Sequence, residues 1–146
     1  MIAIGCDHGG FALKQEIIQY LEEKQIPYQD FGTYSEESCD YPEYAEKVAR
    51  SITSGEAEKG ILICGTGIGI SIAANKIHGI RAALCHDYFS AKYTRLHNDA
   101  NIIAMGGRVI GPGLAVELVD VFLHTEFEGG RHARRVEKIM ALEEKE

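Results

Sequence analysis

Gly60-Ile61-Leu62-Ile63-Cys64-Gly65-Thr66-Gly67-Ile68-Gly69-Ile70-Ser71 decides how the chain is read. An apolar run ends in a cysteine, and a glycine-spaced turn follows at once. Ser71-Ile72-Ala73-Ala74-Asn75-Lys76 then has the composition of a helix. The order implies a buried strand that delivers a thiol to an anion-binding turn. Closely spaced glycines let backbone N–H groups point inward, and a helix N-terminus adds partial positive charge. Cysteines in such settings carry thiolate character. The plain alternative is a structural thiol, because free cysteine is among the most buried residue types.

The same alternation extends in both directions. Residues 1–6 form a short apolar run, and Asp7-His8-Gly9-Gly10 opens a helix over about 11–24, with Leu13, Ile17 and Leu21 at helical spacing. Further strands are predicted over 27–31, 61–64, 80–85 and 101–105. Helices are predicted from Pro42 to before Gly55, from after Gly69 to Gly79, over 88–96, from Gly111-Pro112 to about 123, and over 131–142. The polar group His97-Asn98-Asp99 reads as a loop, and 143–146 as a frayed tail. Strands alternating with helices through short loops mean an α/β fold with a parallel five-stranded sheet covered on both faces. Ligands bind such sheets outside the carboxyl ends of the strands. Asp7-His8 and Cys64-Gly65-Thr66 both fall there, and they converge if the first and third strands are neighbours.

Length and composition set limits. The 146 residues suit one domain, 1–146, large enough to bury about 68–70% of its unfolded surface. A net charge of −7 argues against nucleic acid or an anionic membrane as partner, while leaving room for a small phosphorylated ligand. Cys6, Cys39, Cys64 and Cys85 form no C-x-x-C or zinc-finger pattern and read as reduced cytosolic thiols. Residues 1–7 read as a strand, not a signal peptide, and no apolar run approaches the roughly 18 residues of a membrane span. A cytoplasmic protein is expected.

Several uses of a glycine turn fail here. A dinucleotide fingerprint needs a third glycine where Ile70 stands, and the next strand ends in Cys85 instead of an acid. There is no P-loop. A phosphatase loop would place arginine six residues after its cysteine, again at Ile70. The six histidines show no metal-ligand pairing on one helix, so neither metal nor cofactor is expected.

Positive charge gathers elsewhere. In the last helix Arg131 and Arg135 lie about 40° apart on the wheel. With Val136, Ile139 and Met140 marking the buried side, the pair is expected to reach inward together while Arg134 faces solvent. Two such arginines suit a phosphate dianion, whereas cations at a helix N-terminus oppose its dipole. Arg108 follows Gly106-Gly107 at another strand end. His97, beside Asn98 and Asp99, could carry a proton. These parts suit proton abstraction alpha to a carbonyl: a thiolate base, N–H groups for the enediolate oxygen, and arginines for a remote phosphate. That chemistry is an aldose–ketose phosphate isomerisation.

Asp7-His8-Gly9, Asp40-Tyr41-Pro42, Cys64-Gly65-Thr66-Gly67-Ile68-Gly69, Ala73-Ala74-Asn75-Lys76, Arg95-x-His97-Asn98-Asp99 and Gly129-Gly130-Arg131-His132 together resemble the type B ribose-5-phosphate isomerase family. That family also holds galactose-6-phosphate and allose-6-phosphate isomerases. The resemblance runs from Ile2 to about Leu142. It implies a Rossmann-like three-layer αβα sandwich and a step of the pentose phosphate pathway, the interconversion of ribose 5-phosphate and ribulose 5-phosphate. It implies Cys64 as the base between C2 and C1, Thr66 assisting proton transfer between oxygens, and His97 opening the furanose ring. Asp7, His8, the turn Gly65, Thr66, Gly67, Ile68, Gly69, and Asn98 would bind sugar and enediolate. Arg108, Arg131 and Arg135 would surround the phosphate. It also implies a homodimer, often paired into a tetramer, whose site joins Cys64 of one subunit to His97, Asn98 and Arg108 of the other. One branch replaces the cysteine by a glutamate six positions later; Ile70 stands there, so Cys64 must serve. A hexose 6-phosphate isomerase on the same site is the nearest alternative, and a phosphosugar-binding regulator without turnover the alternative of another class. Cys6 matches no motif and reads as packing.

Overall fold

The computed structural model describes residues 1–145. Five parallel strands form one sheet: β1 (Ile2–Cys6), β2 (Tyr28–Asp30), β3 (Lys59–Cys64), β4 (Ala82–Leu84) and β5 (Ile102–Gly106), in the order β2-β1-β3-β5-β4. Six α-helices alternate with them: α1 (Phe11–Glu23), α2 (Tyr41–Thr53), α3 (Ile68–Ala74), α4 (Tyr88–Asn98), α5 (Pro112–His124) and α6 (Arg131–Ala141). The parallel α/β sandwich is as expected, and β1 does neighbour β3.

The core follows from the two-residue period of a strand. Ile61 and Ile63 point to one face with Ile4, Cys6, Ile103 and Met105. There they meet Leu13, Ile17 and Leu21 of α1 and Leu118 and Phe122 of α5. Leu62 and Cys64 point to the other face with Ala3, Ile102 and Ala104, against Ala45, Val48 and Ala49 of α2 and Ile70 and Ala74 of α3. The sheet is therefore the middle of three layers, and Cys6 and Cys64 lie on opposite sides of it. Cys6 is a packing residue, as its place outside the motifs suggested. Its burial pushes the thiol up to about 12, and that of Cys85 up to about 11.

Four local expectations are corrected. β4 is shorter than 80–85, because Ile80 still belongs to the preceding turn, its N–H donating to Ile77. At this edge β5 lies between β3 and β4. The Asn75 carboxamide covers part of the exposed edge, accepting from Ala82 N–H at 2.8 Å and donating to Ala82 C=O at 2.9 Å. Next, α4 runs on through His97 and Asn98, which are helical and not in a loop. The helix stops at Asp99, a left-handed C-cap with φ 48° whose N–H bonds Thr94 C=O. Third, α3 starts at Ile68, so Ile68 and Gly69 belong to the helix and not to the turn before it. Fourth, residues Leu142–Lys145 form a 3-10 turn instead of fraying, and the Glu143 carboxylate accepts from Gly79 N–H at 3.0 Å. Glu146 lies outside the described residues.

Candidate active site

The carboxyl ends of β1, β3 and β5 meet at one point. After β3, Gly107 N–H donates to Cys64 C=O at 2.8 Å and Arg108 N–H to Gly65 C=O at 3.0 Å. The segment beyond β5 is thereby tied to the cysteine turn. From the β1 side Gly9 closes in: a Cβ on Gly107 would lie 2.6 Å from the Gly9 carbonyl oxygen. Only glycine allows three loops to pack this closely.

Cys64 is 4% exposed at the floor of this junction. Gly67 N–H donates to its Sγ at 3.2 Å. Gly67 holds the turn with φ 78°, and a Cβ there would sit 2.6 Å from both the Met105 carbonyl carbon and a Leu84 methyl. Thr66 is exposed on the rim, its Oγ1 accepting from Ile68 N–H at 3.2 Å. Gly65 lies beneath the Arg108 guanidinium, whose Nη1 is 3.1 Å from where a Gly65 Cβ would stand. Asp7 is buried and caps the turn after β1, accepting from Gly9 N–H at 2.9 Å. His8 Nδ1 accepts from Cys39 N–H at 3.3 Å, which in the neutral ring leaves the proton on Nε2 as a donor.

Tyr41, which sequence reasoning left without a role, joins this group. Its ring packs over Gly69, with Oη 2.8 Å from where a Cβ would be. The signal was available: Asp40-Tyr41-Pro42 opens α2, and helix N-termini after parallel strands face the ligand end of the sheet.

The remaining candidates form a second group. His97 lines a groove with Leu84, Phe89, Tyr93 and Asn98. Leu84 separates the groups, since it also lies against Gly67. The His97 ring stacks on His132 of α6 at 4.0 Å and 12°, meets Tyr93 edge-on at 5.0 Å, and places Nε2 3.7 Å from Glu128. His97, Glu128 and His132 thus come within 4.8 Å of one another, a donor set that the chain's linear spacing hid. The rings lie face to face, so their in-plane lone pairs run parallel and do not converge as ligands of one ion would.

Two expectations about cations change. The inward face of α6 is His132 and Val136, while Arg131, Arg135 and Ile139 are exposed. The helix docks on α4 and not on the sheet core, which turns His132 inward and leaves Ile139 outside. Arg108, grouped by resemblance with His97 of the other subunit, sits on the Gly65 turn of Cys64's own chain. A cavity of about 430 Å³ between α3, β4, α4 and α6 reaches Asn98 but neither Cys64 nor His97.

Comparison with known proteins gives the family. Residues 2–139 match the family model described as ribose/galactose isomerase. Ribose-5-phosphate isomerase B of Escherichia coli is 54% identical over 144 residues, 99% of this chain and 97% of that protein. The structure of Clostridium thermocellum ribose-5-phosphate isomerase B superposes with a TM-score of 0.97 at 55% identity, covering 99% of this chain and 97% of the other. The Mycoplasma genitalium ribose-5-phosphate isomerase B, solved with ribulose 5-phosphate bound, gives a TM-score of 0.93 at 39% identity, again covering 99% and 97%. The chain belongs to the ribose/galactose isomerase family.

Proposed function

We propose that this protein interconverts ribose 5-phosphate and ribulose 5-phosphate through an enediolate, with Cys64 as the base. Family membership makes it an aldose–ketose isomerase; substrate and residue roles are our reading. The observation that carries it is the Gly67 N–H directed at Cys64 Sγ, within a junction where Asp7 caps the turn after β1 and Arg108 covers Gly65. A donor aimed at sulfur has the polarity that a thiolate accepts.

In this reading the Cys64 thiolate takes the C2 proton of the open-chain aldose and returns it to C1. Thr66 passes a proton between the two oxygens. The N–H groups of the Gly65 to Gly69 segment not engaged by Cys64 Sγ or Thr66 Oγ1 hold the enediolate oxygen, and Asp7, His8 and Asn98 bind hydroxyls. Arg108, Arg131 and Arg135 neutralise the phosphate, whose binding energy positions the carbon. His97 donates the proton that opens the furanose ring.

We infer that the working unit is a homodimer or a tetramer of such dimers. Leu84, Phe89 and Ile72 are 39%, 66% and 57% exposed, apolar surface that a second copy could cover. Leu84 and Phe89 flank the groove that holds His97 and Asn98. A second copy covering this face would bring His97 and Asn98 to the other subunit's Cys64. The four cysteines are all free, in keeping with a reducing cytoplasmic setting. Among the described residues no helix is long and apolar enough to cross a membrane.

Replacing Cys64 with alanine tests the reading. Solvent isotope exchange at C1 and C2 should vanish while the phosphosugar still binds; exchange at the wild-type rate would sink the mechanism. A hexose 6-phosphate is the second reading, favoured by the galactose isomerases in the family description. Comparing kcat/KM for pentose 5-phosphates and hexose 6-phosphates separates the two.

A further inference from the structure

We propose that His132 is the positioning residue for His97, fixing the plane of its imidazole by stacking so that the proton-bearing edge is presented to the sugar ring oxygen. The inference rests on the reading of His97 as the ring-opening acid.

His97 needs such a device. It is in the last turn of α4 with its side chain 37% exposed, and an imidazole there would turn freely about its two side-chain torsions. Proton delivery to one oxygen tolerates little angular error. Three groups restrain the ring. Tyr93, one turn earlier, meets it edge-on, and Phe89, one turn earlier again, stacks on Tyr93 at 4.1 Å. Glu128 Oε2 approaches Nε2 at 3.7 Å. His132 covers the ring face at 4.0 Å, nearly parallel.

His132 alone among these is itself buried. It is 7% exposed and shares the buried face of α6 with Val136. The approach to α6 is anchored to α4 as well, with Glu128 N–H donating to Leu96 C=O at 3.0 Å. Burial holds the His132 protonation below the usual histidine range. The His97 and Arg131 charges push it the same way, and Glu128 opposes them. A neutral ring can stay stacked while His97 carries its proton; a charged one would repel it.

The test exploits the substrates themselves. Ribose 5-phosphate is a furanose and must be opened, whereas ribulose 5-phosphate is acyclic because its O5 is phosphorylated. Conversion of the aldose therefore needs the ring-opening acid, and exchange of the C1 proton of the ketose with solvent does not. For His132→Ala we expect aldose turnover to fall about tenfold with ketose C1 exchange within about twofold of wild type. His132→Phe, which keeps a flat ring face, should recover most of the turnover. Should the alanine variant fail to fold, His132→Gln, similar in size but without a ring, takes its place. Equal loss of both activities in the ringless variant would mark a merely structural residue and overturn the proposal, as would a phenylalanine variant no better than it. His97→Asn is the control. If it fails to separate the two activities, the reading of His97 is wrong; if it separates them and His132→Ala does not, only the positioning role is wrong.

Discussion

Gly67 donates its N–H to Cys64 Sγ at 3.2 Å, and it does so from a left-handed conformation, φ 78°, that closes the turn between β3 and α3. The contact couples the reacting thiol to a backbone conformation that favours glycine. A side chain here is opposed twice, by its torsion and by contact with Met105 and Leu84.

Gly67→Ala should therefore lose activity beyond its cost in stability. We expect a loss of about 1–3 kcal/mol from strain and a fall in kcat of about a hundredfold as the N–H leaves the sulfur. Thermal melts and steady-state kinetics read the two separately. Wild-type kcat in a folded variant would mean that this N–H is idle.

Tyr41 makes a different prediction, because its ring roofs the start of α3 without reaching the sulfur turn itself. Tyr41→Ala should raise KM about fivefold and leave kcat near wild type, the mark of lost uniform binding. Tyr41→Phe should behave like wild type if the ring alone matters. A fall in kcat for both variants would instead place the hydroxyl in the chemistry.

The legibility of the chain followed the reach of each interaction. The unbroken apolar run Ile61-Leu62-Ile63 announced a strand buried on both faces, and the glycines after Cys64 announced the turn. Both are local signals. β4 was misjudged because an edge strand of three residues leaves little pattern, and its pairing is completed by the side chain of Asn75. The α4 terminus was misjudged because His97-Asn98-Asp99 looks like a polar loop. What carries the helix through it is a pair of side-chain contacts, Arg95 to Asp99 at 2.9 Å and Arg95 to Ala100 C=O at 2.7 Å. The His97–His132 stack joins residues 35 positions apart and has no linear signature.

The buried thiols predict an alkaline limit. Cys6 is lifted from an ordinary value of 9.0 to about 12 and Cys85 from 9.0 to about 11, in both cases chiefly by burial. The folded chain thus keeps protons that the unfolded chain gives up above pH 9. Stability from these groups is complete below pH 9 and drains away as pH rises toward 11 and 12. Tm should fall with pH across that window, and Cys6→Ala should flatten the slope while lowering Tm at pH 8. An unchanged slope would show that Cys6 does not titrate with unfolding. At pH 8 both thiols should also resist alkylation, read by mass spectrometry, because their thiolate fraction is small.

The proposed dimer can be broken at a point that leaves every proposed catalytic side chain in place. Leu84 lies between the Cys64 turn and the His97 groove, and it is exposed on the outer strand of the sheet. A carboxylate there would be buried without a partner if a second copy covers this face, at a cost of several kcal/mol, and would be solvated harmlessly if none does. Leu84→Glu should therefore sediment as a monomer and lose nearly all aldose turnover. The lost activity has a specific signature, because a shared site can be rebuilt from two different defects. Cys64→Ala and His97→Asn chains, each inactive alone, should regain up to about a quarter of the wild-type sites' activity per protomer when mixed and allowed to exchange, since half of the protomers enter mixed dimers and each such dimer holds one intact site. An active Leu84→Glu monomer, or a mixture that stays inactive after exchange is verified, would place Cys64 and His97 in the same subunit's site and overturn the shared arrangement.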